Sequence, residues 1–211
     1  SELKKIYGEA LKHPMISGIS VGTRPDCIDD EKLDYFQQLS EKHFISIEYG
    51  IESCYNKTLK AINRGHTFEV AAEAIKKTAV RNLFTSAHLI FGLPGETRED
   101  MLNQAEIISQ LPINSIKLHQ LQIMKGTVMA EEYKKDPSSI TLFSLTGYVD
   151  FIINFLERLN PAIIIERLSG EAPPRFLEVS TWGLIRADRV LQLIEQGMKE
   201  RKTWQGRLFK K

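Results

Sequence analysis

The run Ser46–Thr67, SIEYGIESCYNKTLKAINRGHT, gathers side chains with the most capacity for chemistry. In extended backbone successive side chains alternate between faces. Ser46, Glu48, Gly50 and Glu52 therefore share one face, and Ile45, Ile47, Tyr49 and Ile51 the other. Carboxylates on a polar face can accept hydrogen bonds from hydroxyls or pair with cations. Arg64 follows in INRGH, and its planar guanidinium fits a carboxylate through two parallel hydrogen bonds. Other apolar runs also end in charged or titratable groups: Arg24 in SVGTRPD, His88 in HLIFGLPGE, Lys117 and His119 in IKLHQ, Arg167 in IIIERL.

Each of these residues also has a plainer reading. Glu48 fits a buried carboxylate paired with Arg24 or Lys117, and Glu52 a solvated strand-end carboxylate. Arg64 suits the C-terminus of a helix, where a cation meets the dipole and Gly65 ends the turn. His88 fits a hydrogen-bonded core histidine. Lys117, His119 and Arg167 fit ordinary polar packing. Cys54 fits a packed free thiol.

The elements that must position these groups alternate along the chain. Strands are expected at Ile16–Thr23, from Ser46, at Phe84–Gly92, at Ile113–Gln122 and at Pro161–Leu168. Between them, helical spacing runs through Leu33, Phe36 and Leu39 after a cap at Asp29 or Asp30, and from an N-cap at Thr67 to Arg81. A capping box at Thr97 and Asp100 opens another helix. Ser139–Leu159 reads as a long helix and Ala187–Arg201 as the last, with a basic, frayed tail over Lys202–Lys211. Residues 1–185 form one expected unit and residues 186–211 its closing helix and tail. Strand–helix alternation implies an α/β fold of parallel strands with helical crossovers, either part of a (β/α) barrel or an open doubly wound sheet. In both, ligands sit at the C-terminal ends of the strands. That is where the glycines and charges above fall.

Composition narrows the partners. A formal net charge of +1 over 211 residues demands neither nucleic acid nor membrane. No apolar run reaches membrane-spanning length, so a cytoplasmic protein is the default expectation. Cys27 and Cys54, the two cysteines, form no CxxC or other ligand cluster, so no metal site is read from this sequence. The chain opens mid-architecture, as a piece of something longer would.

Six motifs in order, SVGTRPD, IEYGIES, INRGHT, HLIFGLPGE, IKLHQLQIMKGT and ERLSGEAPP, resemble the radical S-adenosylmethionine (SAM) superfamily. HLIFGLPGET is similar to the fifth-strand segment of the oxygen-independent coproporphyrinogen oxidases. The set as a whole resembles the YhcC-like proteins related to the Elp3-like group. The resemblance covers Ile16 to about Trp182 and implies a partial, TIM-like (β/α)6 barrel. It also implies an iron–sulfur oxidoreductase that cleaves SAM on a [4Fe–4S] cluster held by CxxxCxxC. No CxxxCxxC is present, so the resemblance implies a SAM- and substrate-binding portion, with first strands and cluster belonging to a full-length parent and this chain alone inactive. It places Glu48, Glu52, Arg64, His88, Ile90 and Gly92 near SAM, with Ile90 against adenine, while Arg24, Lys117, His119 and Arg167 face the substrate. The departures are specific: Gly22 stands where the oxidases have a glutamate, His88 replaces an aspartate of that branch, and Glu96 falls one place late in GxIxGxxE. No catalytic residue is assigned.

Three further expectations follow. Relatives that act on transfer RNA raise RNA contact for the tail with Trp204 and Phe209. An unpaired edge at Ile16–Thr23 would invite dimerisation. Two other function classes stay open: a barrel scaffold without chemistry, and a metal-dependent hydrolase or aldolase using Glu48, His88 and His119.

Overall fold

A computed structural model describes residues 2–210. After helix α1 (Glu2–Ala10), five parallel strands lie side by side in chain order: β1 (Gly18–Thr23), β2 (Phe44–Glu52), β3 (Phe84–Phe91), β4 (Ser115–Gln120) and β5 (Ile164–Arg167). The connections carry α2 (Asp30–Ser40), α3 (Asn56–Ala61), α4 (Phe68–Ala79), α5 (Arg98–Ser109), α6 (Val128–Lys135) and α7 (Leu145–Arg158), and α8 (Ala187–Glu200) closes the chain. Of the two architectures that strand–helix alternation allowed, this is the partial TIM-like α/β barrel that the family resemblance implied. Among the described residues β1 forms one edge of the sheet and β5 the other.

The alternation in the strands separates core from site. Ile45, Ile47, Tyr49 and Ile51 of β2 are buried against the helices, and the Tyr49 hydroxyl meets Thr78 Oγ1 of α4 at 2.7 Å. Ala87, Leu89 and Phe91 of β3 point the same way. Phe91 packs against Phe151 and Phe155 of α7, with ring centroids 4.7 and 4.9 Å apart. Ser46 and Glu48 of β2, Ser86 and His88 of β3 and Lys117 and His119 of β4 are left on the opposite, inner face. Caps fix where the helices begin: Asp29 accepts from Lys32 N at 2.9 Å, and Thr97 and Asp100 bond reciprocally.

Three stretches differ from expectation. The helix expected over Ser139–Leu159 starts at Leu145, where Ser144 caps it through Gly147 N at 3.1 Å. The residues before it run irregularly, and Ile140 packs with Ile123 and Ala130 in a small second core. Helix α6 gave no apolar stripe to read, because Ala130 is its one buried residue. The tail is docked rather than frayed. Gly206 N bonds Leu156 O at 2.9 Å, Leu208 N bonds Glu157 O at 2.7 Å, and Arg207 Nη2 reaches the buried Glu157 carboxylate at 2.9 Å. No helix of the described residues is long and apolar enough to cross a membrane.

Candidate functional site

Glu48 is the hub of the inner face. Its Oε1 accepts from Ser20 of β1, and its Oε2 lies 3.0 Å from His88 Nε2 of β3 and 2.6 Å from Lys117 Nζ of β4. Lys117 also lies 3.5 Å from Glu166 of β5, which accepts from Ser115. One polar chain thus links all five strands. Burial pushes the Glu48 carboxyl up, but the bonds from Lys117 and Ser20 and the nearby positive charge outweigh it and hold it at about 2. An ionised carboxylate only accepts, so His88 Nε2 carries the proton and Nδ1 is left as an acceptor. Of the two partners expected for Glu48, Lys117 is the one present.

Arg24 turns elsewhere. It binds Asp26 through Nε at 2.9 Å and Nη2 at 2.5 Å, and its guanidinium lies over Gly65. A Cβ at Gly65 would stand 2.8 Å from Arg24 Nη2, and Gly65 has φ +86°. The turn carrying Arg64 therefore lies against the turn after β1.

The second centre lies at the C-terminal end of β2. The register with β3 shifts between Gly50 and Glu52, and Glu52 adopts φ +70°. This bends the Glu52 carboxylate back toward Arg64, whose Nη2 lies 2.9 Å from Glu52 Oε1 and donates to Gly50 O at 2.7 Å. A Cβ at Gly50 would stand 2.4 Å from that Nη2, so any larger residue would displace the ion pair. Burial raises the Glu52 carboxyl, with the Arg64 charge working against it. Arg64 Nε is buried without a partner among the described residues, an unfilled donor on the same guanidinium.

Gly50 pairs in register with His88, so the two centres adjoin. His88 opposes Lys117 and Ile90 opposes His119 on the next strand. The His88 and His119 rings lie 5.9 Å apart. Burial lowers both imidazoles, helped by Lys117 and Arg167, and His119 falls to about 4. His119 Nε2 is buried without a partner among the described residues. Gly92, at φ +94°, ends β3 beside Leu121 and Phe143. Arg167 is exposed at the end of β5, close enough to depress both histidines.

Sequence reasoning missed the group that holds the Glu52 turn. Glu96 accepts from Ser53 and, at 3.1 Å, from Gln104 Nε2, while Gln104 Oε1 accepts from Cys54 N at 2.8 Å. The available signal was Gln104, a glutamine at a core-facing position of α5 and fully buried. Cys54 is buried, and desolvation pushes its thiol well up.

The chemistry of the inner face argues against a divalent metal on Glu48, His88 and His119. A lysine ammonium sits where the cation would bind Glu48, and among the described residues no three potential ligands cluster. The two cysteines, one exposed and one buried, also fall short of the three thiolates of a [4Fe–4S] cluster. The residues present do not fit that cluster.

The Radical SAM superfamily model matches residues 1–107, and the Radical_SAM C-terminal domain model matches residues 113–200. The chain belongs to the radical SAM superfamily. It is 34% identical over 209 residues to the uncharacterized protein MJ0486 of Methanocaldococcus jannaschii, covering 99% of this chain and 64% of that one. It is 31% identical over 196 residues to YhcC of Escherichia coli K12, covering 90% of this chain and 63% of that one. This radical SAM chain thus spans less than two thirds of the length of these relatives. Its fold matches the archaeal Elp3 of Methanocaldococcus infernus with TM-score 0.75 at 19% identity, over 90% of this chain and 43% of Elp3. These matches support the YhcC/Elp3-like subgroup.

Proposed function

We propose that this chain is the SAM- and substrate-binding portion of a radical SAM oxidoreductase whose [4Fe–4S] cluster is held by residues outside these 211. The observation that carries the reading is Arg64. Its guanidinium is half-buried at the C-terminal rim, the side chain 24% exposed and oriented by Gly50 O and Glu52, with Nε still unfilled. A ligand carboxylate would complete it, and the amino-acid end of SAM supplies one. Held beside such a cluster, SAM would supply radical chemistry to the substrate.

The other residues have graded roles in this reading. Glu52 keeps Arg64 oriented and offers its second oxygen to ribose hydroxyls. Ile90 gives adenine an apolar surface, and Gly92 leaves room beside it. Glu48, with both oxygens engaged, acts by holding His88 and Lys117 in place. His88 presents Nδ1 as an acceptor. Lys117, His119 and Arg167 line the substrate side.

The test uses the full-length protein, reconstituted anaerobically with iron and sulfide. The reading predicts a cluster and reductive cleavage of SAM to methionine and 5′-deoxyadenosine. A full-length protein that binds no iron and cleaves no SAM would overturn it in favour of a barrel scaffold. Pairing of two chains through the β1 edge is part of the same proposal, and a strictly monomeric solution mass would remove it.

A further inference from the structure

Beside the mouth lies a cavity of about 370 Å³ that none of the roles above uses. Its floor is the chain leaving β4, and its roof is the segment between β5 and α8. The two are sewn together. Gln120 exchanges two hydrogen bonds of 2.9 Å with the backbone of Gly170, Glu178 N bonds Ile123 O at 2.8 Å, and Lys125 N bonds Phe176 O at 2.8 Å. The half-open space between them is therefore bounded by hydrogen-bonded chain and is not a gap under a loose loop.

The walls are mainly apolar, with Leu121, Ile123, Leu142, Leu177, Trp182 and Val190 among them. Trp182 is fixed: its indole N–H donates to Phe143 O at 2.8 Å, and its ring packs on Tyr148 with centroids 5.0 Å apart. Among the described lining residues two carry charge, and both are exposed at the rim. Glu171 accepts from Ala187 N at the start of α8, and Arg186 faces solvent with Asp188 at 3.7 Å. The remaining polar groups, such as Gln122 and Thr181, are uncharged. Away from that rim the walls offer a charged group no counter-ion, whereas a flat apolar group would bury its faces against them and against the fixed Trp182 ring.

The cavity also adjoins the mouth. A Cβ at Gly170, in the roof, would stand 2.6 Å from His119 Nδ1 on the inner face. We infer that this cavity binds an uncharged, largely apolar aromatic group, the part of the substrate that anchors it while its reacting end reaches the mouth. That the ligand is the substrate rests on the function proposed above; that the cavity takes such a group does not.

The test is calorimetric titration of the full-length protein with three probes of one shape: naphthalenemethanol, naphthoate and naphthylmethylammonium. The neutral probe is expected to bind saturably at one site, roughly tenfold or more tighter than either charged probe. Ala172→Phe, which fills the cavity from a half-buried lining position, is expected to abolish that binding with the melting temperature retained. Should that variant not fold, hydrogen exchange on the unsubstituted protein decides, with protection by naphthalenemethanol expected across residues 169–187. Absence of saturable binding, equal binding of all three probes, or protection elsewhere would overturn the inference. SAM affinity is measured on the same sample. Its loss with naphthalenemethanol binding intact would strike the proposed function and leave the cavity standing.

Discussion

Lys117 Nζ lies 2.6 Å from Glu48 Oε2, although β3 runs between their strands. The pair spans the concave face, and with Ser20 and Glu166 it ties both edges of the sheet to its middle. Both side chains are largely buried, at 14% and 13% exposure, so each carries a desolvation cost that the other offsets. Lys117→Met should destabilise the protein by less than the roughly 3–5 kcal/mol of a fully buried broken pair, because Ser20 and His88 still serve Glu48. Adding Glu48→Gln should recover part of the loss. Urea unfolding of the two single variants and the double reads the coupling directly; purely additive losses would show that the pair does not interact.

Acid should weaken the fold in two stages. His119, at about 4, and His88, also lowered, bind protons more readily when unfolded, so their contribution is complete above about 6.5. It is lost as pH falls from there toward 4. Glu48, held at about 2, contributes above its unfolded value and loses that contribution as pH falls from about 4.5 to 2. His119→Gln should flatten the upper part of a stability–pH curve, and Glu48→Gln the lower part.

Gly50→Ala should damage the rim more than the core. The added methyl would meet Arg64 Nη2 at 2.4 Å and Glu52 Oε1 at 2.6 Å, so the ion pair must move. We expect roughly tenfold weaker SAM binding by the full-length protein, with a smaller relative change in thermal stability. Unchanged SAM affinity would mean that the Glu52–Arg64 geometry does not matter for binding.

The tail should matter for stability and not for the rim. Arg207→Ala strips a cation from the Glu157 carboxylate, which is 8% exposed, and should cost about 1–3 kcal/mol. Thermal melting checks the cost, and SAM affinity should stay as it was.

Much of this arrangement was legible in the sequence because it rests on alternation. The period of two in β2 and β3 separated Ile47, Tyr49 and Leu89 from Glu48 and His88, and the strand–helix order implied the parallel sheet. Long-range pairing was not legible. Nothing in sequence spacing selects Lys117 over Arg24 as the partner of Glu48, since that depends on strand register and on Asp26 capturing Arg24. The Glu96–Gln104 clamp escaped for the same reason. Glu96 looks like a solvated residue before a helix, and a core-facing Gln104 does not by itself name its partner, until the turn after β2 is packed on them. The tail looked frayed because its anchors, two backbone bonds to α7 and the side-chain bonds of Thr203, Gln205 and Arg207, reach partners about 40 to 50 residues back, which sequence spacing does not reveal.

The central claim is that Arg64 receives the carboxylate of SAM, and its most direct test is SAM affinity with and without the guanidinium fork. In the anaerobically reconstituted full-length protein, Arg64→Lys should weaken SAM binding by roughly tenfold or more while cluster iron stays at the unsubstituted level. Equal SAM affinity in the two proteins, with equal iron, would contradict the account.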